Sequence, residues 1–444
     1  MPTKKFLTCT LALILTVLAA PGMNCETGQT PVIDDMMNND NPGDNTNDGP
    51  TTNFDLSDDD PFGLVLTDIN VHVMARIEAG DDLIVYTEAD SDGSVGNVNY
   101  IVPSAGDLTG RGIPNADDYD PNSFLVAGDK IILVGGPEGS NAVSVYDPQT
   151  DTIDNITAED VTLSSVPVSN YGPGFMDVDG SLVATINNTA FVDGQELIRV
   201  IDTSGAAPTV TRFDVNPDND NTLIPDQIHI DAETRTVVAA RQLPGKFWVY
   251  DLDDPTAAPM EFDVTSVNGP RTADTPFAYD NGMMLFIGRE ASFEFPYLID
   301  LLDPTATPIS LDPEEDGVNR PMMVGDRYAY LPNGAAITGT LDGAMNMGSN
   351  ASIDGGGRSG SGVTLTHGVL GTVPVWIIGG QDNIGSSNAL QYSTGNGAWQ
   401  TVPDPRDVGS NLAVGDVHCD ESGTYLGFKY EADDDSYLGY AILN

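Results

Sequence analysis

The chain has 444 residues, with 67 Asp and Glu against 17 Lys and Arg, for a formal net charge of −50. A surface of that sign repels polyanions, which excludes nucleic acid as a partner and disfavours anionic membrane surfaces. The acids are 53 Asp to 14 Glu, and with 47 Gly and 30 Pro they favour turns over helix interiors, so the composition points to an all-β protein.

Lys4 and Lys5 precede an apolar stretch from Phe6 to Ala20, the layout of an export signal over residues 1–24, too short to span a bilayer comfortably. Cys25 follows Gly22-Met23-Asn24, in the manner of a bacterial lipoprotein signal, which makes Cys25 a candidate lipid-attachment site. Asn24 departs from the small residue such a signal has before its Cys, and simple secretion is the alternative. Either route puts the protein outside the cytoplasm, secreted or held at a cell surface or outer membrane. Residues 25–60 read as an acidic, disordered tether: Glu26 to Asp60 contain ten acids, no base and no apolar periodicity, and cannot offset their ordering entropy. Cys419 is the lone cysteine of the body, so no disulfide framework supports the fold.

Residues 61–444 repeat one theme, a Gly- and Asp-rich turn followed by four to six β-formers. Ala79-Gly80-Asp81-Asp82 leads into Leu83-Ile84-Val85-Tyr86, and Gly128-Asp129-Lys130 into Ile131-Ile132-Leu133-Val134. Anchors at 83, 131, 182, 236, 283, 327, 374 and 424 are spaced by 48, 51, 54, 47, 44, 47 and 50 residues. Each has a short strand before it, and most have a third after it, such as Val143 to Asp147 or Phe247 to Asp251. Four strands per unit of just under fifty residues predicts a single β-propeller of eight four-stranded blades, with seven as the alternative. The last unit supplies three evident strands, and the segment from Pro61 to Thr67 is expected to complete its sheet and clasp the ring. Thr338 to Gly362, with eight Gly, marks the irregular blade.

Ile377-Ile378-Gly379-Gly380, followed by Tyr392 and Trp399, resembles a kelch repeat: an apolar strand ending in a Gly pair, then Tyr, then Trp. Val134-Gly135-Gly136 and Tyr146 repeat the first part without the Trp, and the other blades keep only Tyr-Asp or Ile-Asp on the third strand. The resemblance implies a propeller in which these positions pack the blade, and implies no particular kelch function.

Chemistry is expected in the long loops Glu88 to Asn97, Pro103 to Pro121, Asn187 to Glu196, Phe213 to Asp226 and Gly379 to Ala389, or in the central channel. Glu88, Asp90 and Asp92, ahead of Gly93, place carboxylates at every second position and make a candidate calcium loop; it departs from the helix-loop-helix pattern in its first residue and in Asn99 at the twelfth position. The alternative is an acidic, solubilising turn. All four histidines, His72, His229, His367 and His418, precede an anchor and are expected on inner strands. Gathered at the channel mouth they would offer nitrogen donors to zinc, copper or iron; packed singly, each would fill an interblade gap. Glu78 is explained by a salt bridge to Arg76.

No Gly-x-Ser-x-Gly elbow is present, and three Trp are too few for the docking motifs of quinone-cofactor propellers. The chain therefore reads as a monomeric binding or interaction module for a protein or carbohydrate ligand, with calcium as its candidate cofactor. The alternative is a propeller-type enzyme, a carbohydrate hydrolase or lyase or a metal-dependent ester or lactone hydrolase, working at the channel.

Overall fold

A computed structural model describes Thr52–Asn53 and residues 62–443 apart from 73–75, 91–93, 107, 139–141, 157–167, 170–171, 174–175, 187–197, 214–226, 242–244, 270–276, 291–292, 312–318, 332–336, 342–350, 353–361, 382–388, 395–398, 407–411 and 433–434. The chain divides into two units, residues 1–48, which with the export signal and Cys25 lie outside the described residues, and residues 49–444, the propeller.

Eight antiparallel sheets make up the ring, and seven of the eight anchors fall on their second strands, the eighth, 424, immediately preceding its strand: Leu83–Ala89, Lys130–Gly135, Leu182–Ile186, Thr236–Arg241, Met283–Glu290, Arg327–Leu331, Val373–Gln381 and Tyr425–Ala432. The preceding inner strands are Ile77–Gly80, Tyr119–Ala127, Met176–Asp179, Gln227–Asp231, Ala278–Asp280, Asn319–Val324, Gly362–Leu370 and Val414–Cys419, in blades 1 to 8. Second strands read as continuous apolar runs because they are covered on both faces. In blade 4, Val237 and Ala239 pack into the layer shared with blade 3, while Val238 and Ala240 pack into the layer shared with blade 5. The two-residue period of a strand thus feeds two interblade cores at once.

The N-terminal clasp forms as the sequence predicts, over Val65–Asn70 rather than 61–67. It pairs with the last strand, Asp435–Ile442, through Val65 opposite Tyr440 and Leu66 opposite Gly439. Phe62, Leu64 and Leu66 enter the core between blades 7 and 8, and the Tyr430 hydroxyl donates to the Thr67 carbonyl at 2.6 Å. Thr52–Asn53, placed in the tether by composition, adds to the outer edge of the clasp strand.

The third-strand Asp that recurs across blades closes the outer hairpin. Asp147 Oδ1 accepts the Gln149 amide at 2.8 Å, and Asp202, Asp251 and Asp300 accept the amides of Ser204, Asp253 and Leu302 in the same way. Such Asx turns are one reason Asp outnumbers Glu. Gly135, at φ +106°, shows why one position of a Gly pair admits no side chain: a Cβ there would stand 2.8 Å from the Asp118 carbonyl. The stretch from Pro103 to Pro121 is not one loop, because Arg111–Gly112 inside it is the outer strand of blade 1.

Candidate functional site: the central channel

The inner strands enclose a channel of about 900 Å³ to which all eight blades contribute. Val126, Val178, Ile230, Met322, Met323 and Val417 give its walls an apolar part, interspersed with Asp177, His229, Thr366 and His367. At one end, where the turns from first to second strands converge, stand Asp81, Asp179, Glu233, Asp280, Asp420 and Glu421. Near the opposite end are Arg76, Asp416 and Lys429. Lys429 reaches the channel from a second strand, beside an inner strand whose register shifts between Val414 and Asp416. Burial lowers the pKa of its amine, against the Asp416 carboxylate 3.8 Å away.

The carboxylates of the inner strands do structural work between blades. Asp177 Oδ2 accepts the Ile230 amide at 3.0 Å, Asp231 Oδ2 the Gly282 amide at 3.1 Å, and Asp280 Oδ2 the Gly325 amide at 2.5 Å. Thr364 and Thr366 of blade 7 do the same for Val417 and Cys419 of blade 8. In each case a side chain satisfies an N–H of the next blade, on its inner strand or in the turn that follows it, a group that would otherwise go unpaired. Sequence reasoning missed this role. Its signal was available in the Asp residues that end inner strands just before the turn, as in Asp177-Val178-Asp179-Gly180, Ile230-Asp231 and Tyr279-Asp280.

Three of the predicted histidines line the channel, His229, His367 and His418, and each is engaged by a neighbouring blade. His229 Nδ1 lies 3.2 Å from Asp177 of blade 3, and its ring packs 4.5 Å from that of Phe277 in blade 5. His367 Nε2 accepts from the Arg327 guanidinium of blade 6 at 3.1 Å, and burial, then the Arg327 charge, pushes its pKa down to about 4. His418 Nδ1 accepts the Ala79 amide of blade 1 at 3.1 Å, its Nε2 lies 3.1 Å from Glu78, and its pKa is pushed down to about 3 by burial first and Arg76 second. Glu78 also pairs with Arg76, as the sequence indicated.

His72 is not on an inner strand. It follows the clasp strand, outside Ile77–Gly80, with its amide on the Thr87 carbonyl and Val71 bridged to Glu88, so at this point the chain already runs beside the second strand of blade 1. Among the described residues no group of three or more His, Cys, Asp or Glu converges as a metal site. Glu88 and Asp90 are exposed at the hairpin between the second and third strands of blade 1; Glu88 accepts from Asn99, Asp90 from the Ser94 hydroxyl, and Asp92 lies outside the described residues. Cys419 is a free, buried thiol on the channel wall, its pKa raised by burial and by Asp420.

No family model matches the chain, and no curated protein matches its sequence. Solved structures similar to it include the Dos1 propeller, at 11% identity and a TM-score of 0.49 over 85% of this chain and 94% of that one. The C-terminal WD40 domain of Sif2 gives 11% and 0.46 over 86% and 99%, and BamB from Moraxella catarrhalis 11% and 0.38 over 85% and 86%. Similarity at this level carries no functional information, and the assignment as an eight-bladed propeller rests on the pairing of the chain's own strands.

Proposed function

We propose that the chain is an exported binding module whose ligand occupies the central channel. The channel itself carries the reading: about 900 Å³, walled by all eight blades, with apolar side chains interspersed among polar ones. Apolar wall supplies affinity and a few polar groups at the ends supply orientation, the usual division of labour in a ligand pocket. A carbohydrate end or a short protein segment suits a cavity of this size. Export is supported by Lys4, Lys5 and the apolar run to Ala20, and lipid attachment at Cys25 by the position of that residue just after it.

Binding is favoured over catalysis by how the polar groups are occupied. His367 and His418 are held as neutral spacers between blades. At the acidic end, Glu421 accepts the Gly180 amide and Asp179 the Ala232 amide, so both carboxyls are already engaged by the backbone.

Screening the purified protein and an Ala278→Trp variant, which fills the channel, against glycan and peptide arrays tests the reading. Ligands retained by the wild type and lost by a variant with an unchanged melting temperature support it. Ligands bound equally by both place the site elsewhere on the ring. Mass spectrometry of the mature N-terminus decides between a lipidated Cys25 and a secreted chain.

A further inference from the structure

A second cavity, of about 330 Å³, lies at the seam between blades 1 and 2 and shares no lining residue with the channel. One side is the connection that follows the outer strand of blade 1, with Pro114, Asn115 and Asp118. The other is the outer strand of blade 2, Thr152–Asn155, and the turn before it, with Asp151, Ile153 and Asn155. Those three residues take every second position, so they share one face of the strand. Gly136, at φ +107°, lets the groups around the cavity come together: a Cβ there would stand 3.0 Å from Tyr119 Cε1, 3.3 Å from Ser144 Oγ and 3.6 Å from Asn155 Oδ1.

The two polar groups of that face are held from behind by buried hydroxyls. The Tyr146 hydroxyl donates to Asp151 Oδ1 at 3.0 Å and lies 3.3 Å from the Tyr100 hydroxyl of blade 1, and the Ser144 hydroxyl donates to Asn155 Oδ1 at 3.0 Å. Ser144 and Tyr146 are each 1% exposed, whereas Asp151 and Asn155 are exposed. Each bond uses one arm of a planar group and so directs the other arm, leaving Asp151 Oδ2 as an acceptor and Asn155 Nδ2 as a donor. Between them stands the apolar Ile153. At about 3.3 Å per residue, positions 151 and 155 lie roughly 10 to 13 Å apart along the strand, a length that two linked sugar rings span and one does not.

We propose that this cavity is a carbohydrate site, separate from the channel, that takes a neutral disaccharide unit. Asp151 accepts from a hydroxyl of one ring, Asn155 donates to an oxygen of the other, and Ile153 packs against the C–H face between them. Sugars suit the site because they alternate hydroxyls that both donate and accept with apolar C–H faces, and a few fixed polar groups beside an apolar one are what orients a bound ligand. Neutral sugars are favoured over acidic ones because Asp118 and Asp151 line the cavity and no Lys or Arg does, among the described residues.

Saturation-transfer NMR on the full chain tests the site with maltose, cellobiose, lactose and N,N′-diacetylchitobiose, which differ in linkage and hydroxyl orientation. At least one is expected to bind at millimolar concentration, and Asp151→Ala and Asn155→Ala should each weaken it about tenfold through a lost hydrogen bond. Both side chains are exposed, and an unchanged melting temperature in each variant shows that the ring is intact. Tyr146→Phe, which removes the hydroxyl behind Asp151 without touching the ligand, should weaken binding about two- to fivefold. Ala278→Trp, which fills the channel, should bind as the wild type does. Saturation of none of the four sugars, affinity unchanged in both Asp151→Ala and Asn155→Ala, or loss in Ala278→Trp alone overturns the proposal. Binding that disappears on adding EDTA overturns it as well, by making a bound cation the group recognised.

Discussion

His418 Nδ1 accepts the backbone N–H of Ala79 at 3.1 Å, joining inner strands that lie 339 residues apart and closing the ring on its channel side. An acceptor at Nδ1 requires the imidazole proton on Nε2, where it points to Glu78 at 3.1 Å, so only the neutral ring makes both contacts. With its pKa pushed down to about 3, His418 contributes stability that is fully present above its unfolded value near 6.5 and is lost as pH falls from there through about 3. His418→Gln keeps an acceptor and a donor but cannot take up a proton. Urea unfolding at several pH values should show wild-type stability falling below that of the variant between about pH 6 and about pH 4, relative to their difference at pH 7. A difference that does not change over that range would remove the neutral ring from ring closure.

Asp231 is 1% exposed and accepts amides from two places, Thr234 in its own turn and Gly282 of the next blade. Asp231→Ala leaves both N–H groups unpaired and should cost about 2 to 4 kcal/mol, whereas Asp231→Asn, which keeps one oxygen, should cost about half as much. Chemical denaturation measures both. Equal, small losses would mean that solvent reaches these amides.

The clasp makes a separate prediction. Cutting the chain after Asp68 removes Val65 and Leu66 from their pairing with Tyr440 and Gly439, and bares the edge of Asp435–Ile442. Bare strand edges pair with other chains, so the truncated protein should aggregate or lose cooperative unfolding. A milder version is Tyr430→Phe, which removes the buried bond to the Thr67 carbonyl and should cost about 1 to 2 kcal/mol. Size-exclusion chromatography and thermal melts distinguish these outcomes, and a stable, monomeric truncation would show that the ring holds without its clasp.

Asp179 gives a pH dependence of opposite sign. Its carboxyl is raised from 3.8 to about 8, so the folded state holds a proton that the unfolded state has released. The associated stability is complete below about pH 4 and is lost progressively as pH rises to about 8. Asp179→Asn cannot lose that proton, and relative to the wild type it should gain on the order of 1 to 3 kcal/mol between about pH 5 and about pH 8. Urea midpoints at the two pH values provide the check; parallel curves would place Asp179 in an ordinary ionised state.

The sequence determined the architecture because the features that build a blade are local and repeat. Continuous apolar runs mark second strands covered on both faces, Gly and Asp mark the turns ahead of them, and the spacing counts the blades. Even the clasp was legible, as an apolar segment at one end facing a sheet short of a strand at the other. What the tertiary structure alone decided is where side chains on different blades meet. His229, His367 and His418 occupy similar places before their anchors, yet face Asp177, Arg327 and Glu78 in different gaps instead of gathering. Gly180 and Glu421, on blades that are not neighbours, meet across the mouth because the ring bends 241 residues of chain back on itself. Periodicity fixes which strand a residue occupies, but which carboxyl keeps its proton depends on through-space distances between blades, and these exist only once the ring is closed.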